Sequence, residues 1–380
     1  MADFRFQISD FKLKSGFGIC VLLILAAVTQ AAEMRGIWVD AFHPGFKSPT
    51  ETLAMVAKAK DCNFNAIFVQ VRKRGDVYYT SSIEPMAKEV TPGYDPLADI
   101  VTKAHAAGLE VHAWISTLEV YHDVTEVTAD SRQVHLTHRE WLMKDHRGRS
   151  KFPGNKVFLD PGVPEVREYV AGMVEEIVRK YNVEGIHLDI ARYPSKESGY
   201  NETSVARFNQ ETSRSSVPAI DDATWSNWRR ARLTELVRTI YQRSTAIKPN
   251  LKVSAAVFAN KTDASANRFQ DWENWMRAGI LDFAVPMDFA LDNGAYQLVA
   301  SQVSSTGHGR HIYLGQGGWK MPAAKALEQI TMARQDGFGG IVVYSYAYCS
   351  KPQGEQPSLM DQLKTGPFAQ ADALPAMGWK

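Results

Sequence analysis

Short apolar runs alternate along the chain with longer segments in which apolar residues recur three and four positions apart. Residues 66–69 and 340–343 are apolar without interruption, which is typical of strands buried on both faces. The longer segments have the period of amphipathic helices. Gly108 and Gly337 lie where two of these helices are expected to end, a position that favours a left-handed residue. The pattern therefore predicts regular alternation of buried strands with helices.

Eight strands and eight helices follow from this pattern. The strands are predicted at Met34–Asp40, Asn65–Arg72, Leu109–Ser116, Val183–Asp189, Leu251–Phe258, Leu281–Met287, His311–Gln316 and Gly339–Tyr346. The helices are predicted at Glu51–Lys60, Leu97–Ala107, Glu165–Tyr181, Trp225–Ile247, Arg268–Ala278, Ala295–Ser305 and Ala323–Gln335, with an eighth after Pro357. Eight βα units predict an α/β fold, a single (β/α)8 TIM barrel, because right-handed parallel crossovers let the sheet close. An open doubly wound sheet is the alternative, but no Gly-x-Gly-x-x-Gly motif follows the first strand.

The connecting loops are long on one side of the predicted barrel only. Helix-to-strand links have a few residues, whereas the links after strands two, three and four extend to about Asp95, Pro164 and Thr224. In such barrels the loops at the C-terminal ends of the strands build the active site, and loops this long are usually functional. We therefore expect a functional site at that end.

The first 31 residues belong to a different physical class. Arg5, Lys12 and Lys14 precede the apolar run 17–28, and small residues follow as far as Ala31. This pattern predicts a secretory signal peptide cleaved after Ala31, with a retained signal anchor as the alternative. Residues 32–380 would then be an exported barrel, periplasmic or extracellular, with no membrane contact after cleavage.

Composition narrows the function classes further. The chain has 380 residues, 45% of them hydrophobic and 22% charged, and its formal net charge is +1. This balance is typical of a globular protein and makes nucleic acid an unexpected partner. No CxxC, HxH or HExxH spacing occurs, so we expect neither a metal nor another cofactor. Cys62 and Cys349 fall at opposite ends of the predicted barrel, too far apart for a disulfide, so both are predicted to be free thiols.

Polar and aromatic residues gather where the predicted strands end. Those expected to bind substrate are Trp38, Asp40, Gln70, Arg72, Asp76, Tyr78, His112, Trp114, Arg192, Tyr193, Gln316, Trp319 and Tyr344. Aromatic planes can stack on sugar rings while acids, amides and guanidinium groups bind hydroxyls. The sequence therefore predicts a polysaccharide as the partner. For His112 a hydrogen-bonded position in the core is the competing interpretation.

Four acids are candidates for catalysis, because glycoside hydrolysis uses a pair of carboxylates. Asp189, at the end of the fourth strand, is the predicted nucleophile or charge stabiliser; the alternative is a structural ion pair with Arg192 or Arg72. Asp288, Glu84 and Glu119 remain open as the acid–base partner. The sequence leaves the stereochemical outcome and the oligomeric state undetermined.

Several motifs together resemble the bacterial glycosyl hydrolase-like 10 family across nearly the whole mature chain. They are Met34–Trp38, Gln70–Arg72 with Gly75-Asp76, Tyr78 and Glu84-Pro85, His112–Trp114, Leu159–Arg167, Gly185–Asp189 with Arg192–Pro194, Trp228–Arg230 and Asp271-Trp272. The resemblance implies a (β/α)8 barrel with glycosidase activity in an exported protein. It implies as substrate the glycan strand of peptidoglycan, particularly strands without stem peptides. The site residues it implies are Gln70, Arg72, Asp76, Glu84, Asp160, Asp189, Arg192 and Tyr193.

The chain departs from the family pattern at three places. Ile190 stands where the family often has an acid or an aromatic residue, Ser116-Thr117 replaces an Asn-Pro pair, and residues 287–289 are Met-Asp-Phe. After Asp189 the chain has Ala191 where chitinase-like barrels carry a glutamate, so their substrate-assisted mechanism is not expected. Two alternatives to a glycosidase stay open, a carbohydrate-binding barrel without catalysis and a barrel enzyme of other chemistry, such as a deacetylase or lyase.

Overall fold

The computed structural model describes residues 32–122, 132–319 and 321–380, so the predicted signal peptide lies outside the described residues. The strands are β1 (Met34–Val39), β2 (Ala66–Arg72), β3 (Glu110–Ser116), β4 (Glu119–His122), β5 (Lys156–Phe158), β6 (Gly185–Asp189), β7 (Lys252–Phe258), β8 (Phe283–Asp288), β9 (His311–Ile312), β10 (Leu314–Gly317) and β11 (Gly340–Tyr344). The α-helices are α1 (Pro49–Asp61), α2 (Pro96–Ala106), α3 (Val134–Thr137), α4 (Pro164–Lys180), α5 (Glu202–Thr212), α6 (Ala223–Ile247), α7 (Lys261–Asn267), α8 (Trp272–Arg277), α9 (Asn293–Val303), α10 (Ala323–Gln335), α11 (Tyr346–Cys349) and α12 (Leu359–Thr365).

The parallel strands close into a barrel. The order is β1-β2-β3-β6-β7-β8, then β10 and β11, and β11 pairs with β1. The seventh position is divided, because β9 pairs with the start of β8 and β10 pairs with its end. This confirms the predicted (β/α)8 barrel and the positions of its eight strands. The sequence pattern did not reveal α5, which lies inside the long loop predicted after the fourth strand.

Alternate residues of each strand fill the barrel interior. Phe68 and His112 stack there with ring centroids 4.5 Å apart. Gly185 makes room for this stack, since a Cβ at that position would lie 2.2 Å from the His112 Nδ1 atom. The opposite strand faces, with residues such as Ile37 and Ile67, form the larger apolar core under the helices. The interior is therefore packed, as is usual for a barrel of this kind.

Polar residues start many of the helices. Ser48, Asp95, Asp222 and Asp292 each accept a hydrogen bond from a backbone N–H in the first turn. Such caps satisfy donors that the helix itself leaves unpaired. They hold the loops between strand ends and helices in fixed positions.

A small two-stranded antiparallel sheet, β4–β5, lies in the long loop after β3, with residues 123–155 between its strands; we call this strand pair the hairpin. It begins three residues after Ser116, the last residue of β3, so it lies at the C-terminal ends of the barrel strands. At the opposite end of the barrel, the C-terminal segment after α12 packs against the strand starts. There Trp379 donates to Asp282 (3.0 Å), and Leu374 and Met377 pack on the interior cluster.

Cys62 and Cys349 are both buried and unpaired, which confirms the prediction of two free thiols. Within the part of the chain that the structure describes, we find no helix with the length and apolar character needed to span a bilayer.

Candidate active site

A pocket of about 360 Å³ lies above the barrel interior, at the C-terminal ends of the strands. Its walls combine aromatic rings with six charged side chains. The lining residues are Trp38, Phe42, Gln70, Lys73, Arg74, Trp114, Ser116, Glu119, Lys156, Asp189, Ile190, Arg192, Ala256, Met287, Phe289, Trp319, Tyr344 and Tyr348. A concave site with aromatic walls and a few convergent polar groups is typical of ligand binding.

Asp189 is held at the floor of this pocket by three donors. Its Oδ1 accepts from the Ile190 backbone N–H (2.7 Å) and from Arg192 Nη1 (3.2 Å), and its Oδ2 accepts from Trp114 Nε1 (3.3 Å). Ile190 has φ +53°, a strained conformation for a β-branched residue, and its amide faces the carboxylate. Both carboxylate oxygens are thus fixed, while 15% of the side chain remains exposed to the pocket.

Glu119 is the other carboxylate that lines the pocket, among the described residues. It begins β4 and is nearly fully buried. Lys156, on the partner strand β5, lies 3.1 Å from its Oε2, and Arg74 Nε lies 3.6 Å from its Oε1. Glu119 is therefore an acid flanked by two cations, and it lines the same pocket as Asp189.

Tryptophan and tyrosine rings form the walls. Trp319 packs against Tyr344 with ring centroids 4.9 Å apart, and Trp38 lies 6.1 Å from the same tyrosine. The indole Nε1 of Trp38 can only donate, and it donates to Nε2 of His187 (3.1 Å). His187 is therefore protonated on Nδ1, which lies 2.9 Å from the Ser254 hydroxyl. Burial lowers the pKa of His187 well below its usual value, in keeping with this neutral tautomer.

The structure brings eight of the eighteen predicted site residues into the pocket. They are Trp38, Gln70, Trp114, Glu119, Asp189, Arg192, Trp319 and Tyr344. The ten residues that it places elsewhere are Asp40, Arg72, Asp76, Tyr78, Glu84, His112, Asp160, Tyr193, Asp288 and Gln316. Most of these ten form hydrogen bonds or ion pairs within loops, or pack in the core.

Arg72 and Glu84 form a fully buried ion pair outside the pocket. The guanidinium Nε and Nη2 donate to the two Glu84 oxygens (2.7 and 2.6 Å), and Tyr169 donates to the same carboxylate (2.8 Å). Arg72 shares no face with Gln70, because a register shift between them breaks the strand alternation. Glu84 therefore cannot reach a ligand and is excluded as the acid–base partner.

Asp288 lies on the helix side of β8. Met287 takes the position facing the pocket, and alternation turns Asp288 toward Tyr296 of α9. Burial without a partner for Oδ2 raises the pKa of Asp288 to about 7. That pKa would suit a general acid, but the carboxyl has no access to the pocket. Gln316 faces the same side and donates to Gln329 of α10 (2.8 Å).

Three predicted residues fix the loops around the pocket rather than line it. Asp40 accepts from the backbone N–H groups of Phe42 and His43 (3.0 and 3.2 Å) and thereby closes a turn after β1. Asp76 accepts from the Arg74 backbone N–H (3.0 Å), and Tyr78 donates to a glutamate carboxylate (2.6 Å). Each holds a loop whose neighbouring side chains reach the pocket.

The other three are buried in the core. His112 lies one interior layer below Trp114, where it stacks on Phe68, so the core interpretation holds. Asp160 accepts from the Gly162 backbone N–H (2.8 Å) and is fully buried, and burial raises its pKa to about 7. Tyr193 is fully buried against Phe269.

Sequence reasoning missed the loop-borne part of the site. Phe42, Lys73, Arg74, Lys156, Phe289 and Tyr348 come from loops, a hairpin and a short helix rather than from barrel strands. The alternation of faces within a predicted strand carries no information about residues that lie outside the strand. Phe289 is the exception, since it directly follows a predicted strand end.

Within the described ranges no three His, Cys, Asp or Glu side chains lie close enough to hold a metal ion. The pocket lining itself offers two carboxylates, four cations and aromatic rings.

Comparison with known proteins adds a family and a fold. The sequence model of the family "Glycosyl hydrolase-like 10" matches residues 33–332. Glycosyl hydrolase YngK of Bacillus subtilis (strain 168) is 26% identical over 407 residues, covering 93% of this chain and 76% of that protein. Glycosyl hydrolase DigH of Escherichia coli (strain K12) is 27% identical over 309 residues, covering 68% of this chain and 66% of that protein.

Two solved structures share the barrel. The PgaB (BpsB) glycoside hydrolase domain from Bordetella bronchiseptica aligns with a TM-score of 0.63 at 13% identity, covering 83% of this chain and 94% of that one. Alpha-L-fucosidase isoenzyme 2 from Paenibacillus thiaminolyticus has a TM-score of 0.63 at 18% identity, covering 89% and 49%. At these identities the likeness shows a fold common to glycoside hydrolases and this chain.

Proposed function

Because this chain belongs to the glycosyl hydrolase-like 10 family, we propose that it is a glycoside hydrolase that cleaves glycan strands of peptidoglycan in the pocket around Asp189. The observation that carries the proposal is the pairing of two carboxylates under aromatic walls. Asp189 and Glu119 line one pocket, at the strand ends where barrel enzymes hold their active sites. Most glycoside hydrolases use two such groups.

The surroundings of the two acids suggest different roles. Asp189 is fixed by donors on both oxygens, which suits a nucleophile or an anion that stabilises positive charge at the sugar. Glu119 stands on a hairpin and is left as the group that exchanges a proton with the leaving oxygen. Its neighbour Lys156 is 40% exposed, so a substrate anion can draw that ammonium away from Glu119.

The charges of the pocket favour an acidic sugar. Four cations line it, Lys73, Arg74, Lys156 and Arg192, and two of them, Arg74 and Lys156, share the single carboxylate of Glu119. Sugars of peptidoglycan strands without stem peptides carry a free lactyl carboxylate, which such cations can bind. This substrate lies outside the cytoplasm, and the signal peptide predicted at residues 1–31 would supply the export.

Release of reducing ends from peptide-free peptidoglycan strands tests the proposal. We expect Asp189→Asn and Glu119→Gln each to lower kcat at least about 100-fold, a typical loss for a catalytic acid or base. Asp288→Asn is the matched control, since it alters a buried carboxyl outside the pocket and should leave turnover intact. Unchanged turnover in a folded Asp189→Asn variant would contradict the assignment.

A carbohydrate-binding barrel without catalysis is the second candidate. The ion pairs from Lys156 and Arg74 to Glu119 favour it, because they occupy the carboxylate that would act on the leaving oxygen. Binding of glycan by the wild-type protein without any new reducing ends would establish this function instead.

A further inference from the structure

A second cleft of about 540 Å³ lies on the same face of the barrel, beside the pocket. Three segments line it, residues 145–153 before β5, residues 194–197 after β6, and residues 263–268 in and just after α7, the helix that follows β7. All three follow the C-terminal ends of barrel strands, as the segments around the pocket do. We call it the outer cleft.

The hairpin connects the two spaces. Lys156, at the start of β5, lines the pocket, whereas Phe152 and Pro153 line the outer cleft. Phe152 and Lys156 are paired to each other by an antiparallel bridge with backbone hydrogen bonds of 2.9 and 3.3 Å. One short turn therefore presents side chains to both spaces.

A shared aromatic ring connects them on the other side. Arg192 of the pocket lies 5.0 Å from the Phe258 ring centroid, and Arg268 of the outer cleft lies 5.2 Å from the same centroid. Arg192 in turn contacts Asp189. Only the Phe258 ring thus separates Arg268, in the outer cleft, from Arg192, which contacts the candidate nucleophile Asp189.

Its lining suits an acidic sugar. Pro153 and Pro194 supply apolar surface for a sugar ring, and Lys151 and Lys196 add positive charge. Two of the three carboxylates in the lining are paired with arginine, Asp145 with Arg149 (2.7 Å) and Asp263 with Arg268 (3.5 Å). No carboxylate of the described ranges forms an ion pair with Lys196.

We propose that the outer cleft is a remote subsite that binds carboxylate-bearing sugars of the same glycan strand whose cleavage takes place in the pocket. The inference rests on the proposed function, because it takes the pocket as the place where the strand is cut. It predicts that affinity increases once an oligomer is long enough to span both spaces.

Equilibrium binding of peptide-free murein oligomers of increasing length tests this, with the Asp189→Asn variant used to prevent turnover. Chitooligosaccharides of equal length are the matched probe, since they lack the lactyl carboxylate. We expect Lys151→Gln combined with Lys196→Gln to weaken binding of long murein oligomers about tenfold, and of short ones much less. Asn267→Trp should fill the cleft and have the same effect. Lys60→Gln, at the opposite end of the barrel, is the control and should change the binding of neither long nor short oligomers.

Each outcome decides one of the two proposals. The subsite would be overturned if the double lysine variant and Asn267→Trp both lost the same affinity for oligomers of every length. It would also be overturned if neither variant lost affinity for an oligomer of any length. An equal gain with length for chitooligosaccharides would overturn its preference for acidic sugars. Length-dependent murein binding that depends on Lys151 and Lys196, with no cleavage by the wild-type protein, would support the subsite and refute the proposed hydrolase.

Discussion

Replacement of Asp288 by asparagine should make the protein more stable at neutral pH without loss of turnover. The Asp288 side chain is buried, its Oδ2 has no partner in the described structure, and its pKa is raised from 3.8 to about 7. Burial is the main cause, because it penalises the charged form. Asparagine keeps the shape of the carboxyl and removes its charge.

The direction of the pH effect follows from proton binding. Between the two pKa values the folded state keeps a proton that the unfolded chain has released, so rising pH favours unfolding. The stabilising contribution is complete below about pH 4 and lost above about pH 7. From about pH 5 to about pH 8 the free energy of unfolding therefore falls by about 3 kcal/mol. The pH range includes about two units below the folded pKa, and one pKa unit corresponds to about 1.4 kcal/mol.

Urea unfolding of both proteins at these two pH values measures the effect. The free energy of unfolding of Asp288→Asn relative to wild type should rise by about 3 kcal/mol from pH 5 to pH 8. Asp160, whose pKa is also raised, contributes equally to both proteins and cancels. Asp221→Asn, at an exposed position, is the control and should show no such change. A constant difference between wild type and Asp288→Asn, or loss of turnover in the variant, would refute the reasoning.

Three further perturbations test other parts of the structure. Glu84→Gln leaves the guanidinium of Arg72 buried without its carboxylate and should cost about 3–5 kcal/mol of unfolding free energy. His187→Phe removes the acceptor of the Trp38 indole N–H, which should cost about 1–3 kcal/mol and alter the tryptophan fluorescence. Deletion of residues 370–380 uncovers the N-terminal end of the barrel and should cost about 3 kcal/mol, because the half-buried side chains of Leu374, Met377 and Trp379 lose their contacts.

Their controls come from exposed positions and from activity. Lys364→Gln breaks the exposed ion pair with Asp61 and should leave the free energy of unfolding nearly unchanged, because solvent screens that pair. A loss as small for Glu84→Gln would contradict the buried pair. His187→Phe should raise KM for glycan if it frees Trp38, and an unchanged KM would show that the hydrogen bond does not orient the pocket wall. An unchanged free energy of unfolding for the truncated chain would show that the C-terminal segment does not stabilise the N-terminal end of the barrel.

The barrel could be predicted because buried parallel strands have a simple signature. Runs such as residues 66–69 are apolar on both faces, and the intervening helices follow a different period. The face of each residue near a strand end was less predictable. The irregularity after Gln70 turns Arg72 away from the pocket, and Asp40 lies one residue past β1 and folds back on its own turn.

The electrostatic environment of the candidate acids could not be inferred from their positions in the sequence alone. Asp288 has the raised pKa that a general acid needs, yet it faces α9, whereas Glu119 reaches the pocket from a hairpin that the pattern did not predict. The cations Arg74 and Lys156 also come from loop and hairpin positions. Tertiary placement of the loops therefore decides the composition of the site, and local periodicity does not.

The central claim is that the pocket around Asp189 holds the sugar whose glycosidic bond is cleaved. A crystal structure of the Asp189→Asn variant with a peptide-free murein oligomer tests it most directly. The account predicts a sugar ring packed against the aromatic wall that Trp114 and Tyr344 form, with its anomeric carbon facing residue 189 and the glycosidic oxygen facing Glu119. An oligomer bound elsewhere on the barrel, with this pocket free of sugar, would contradict it.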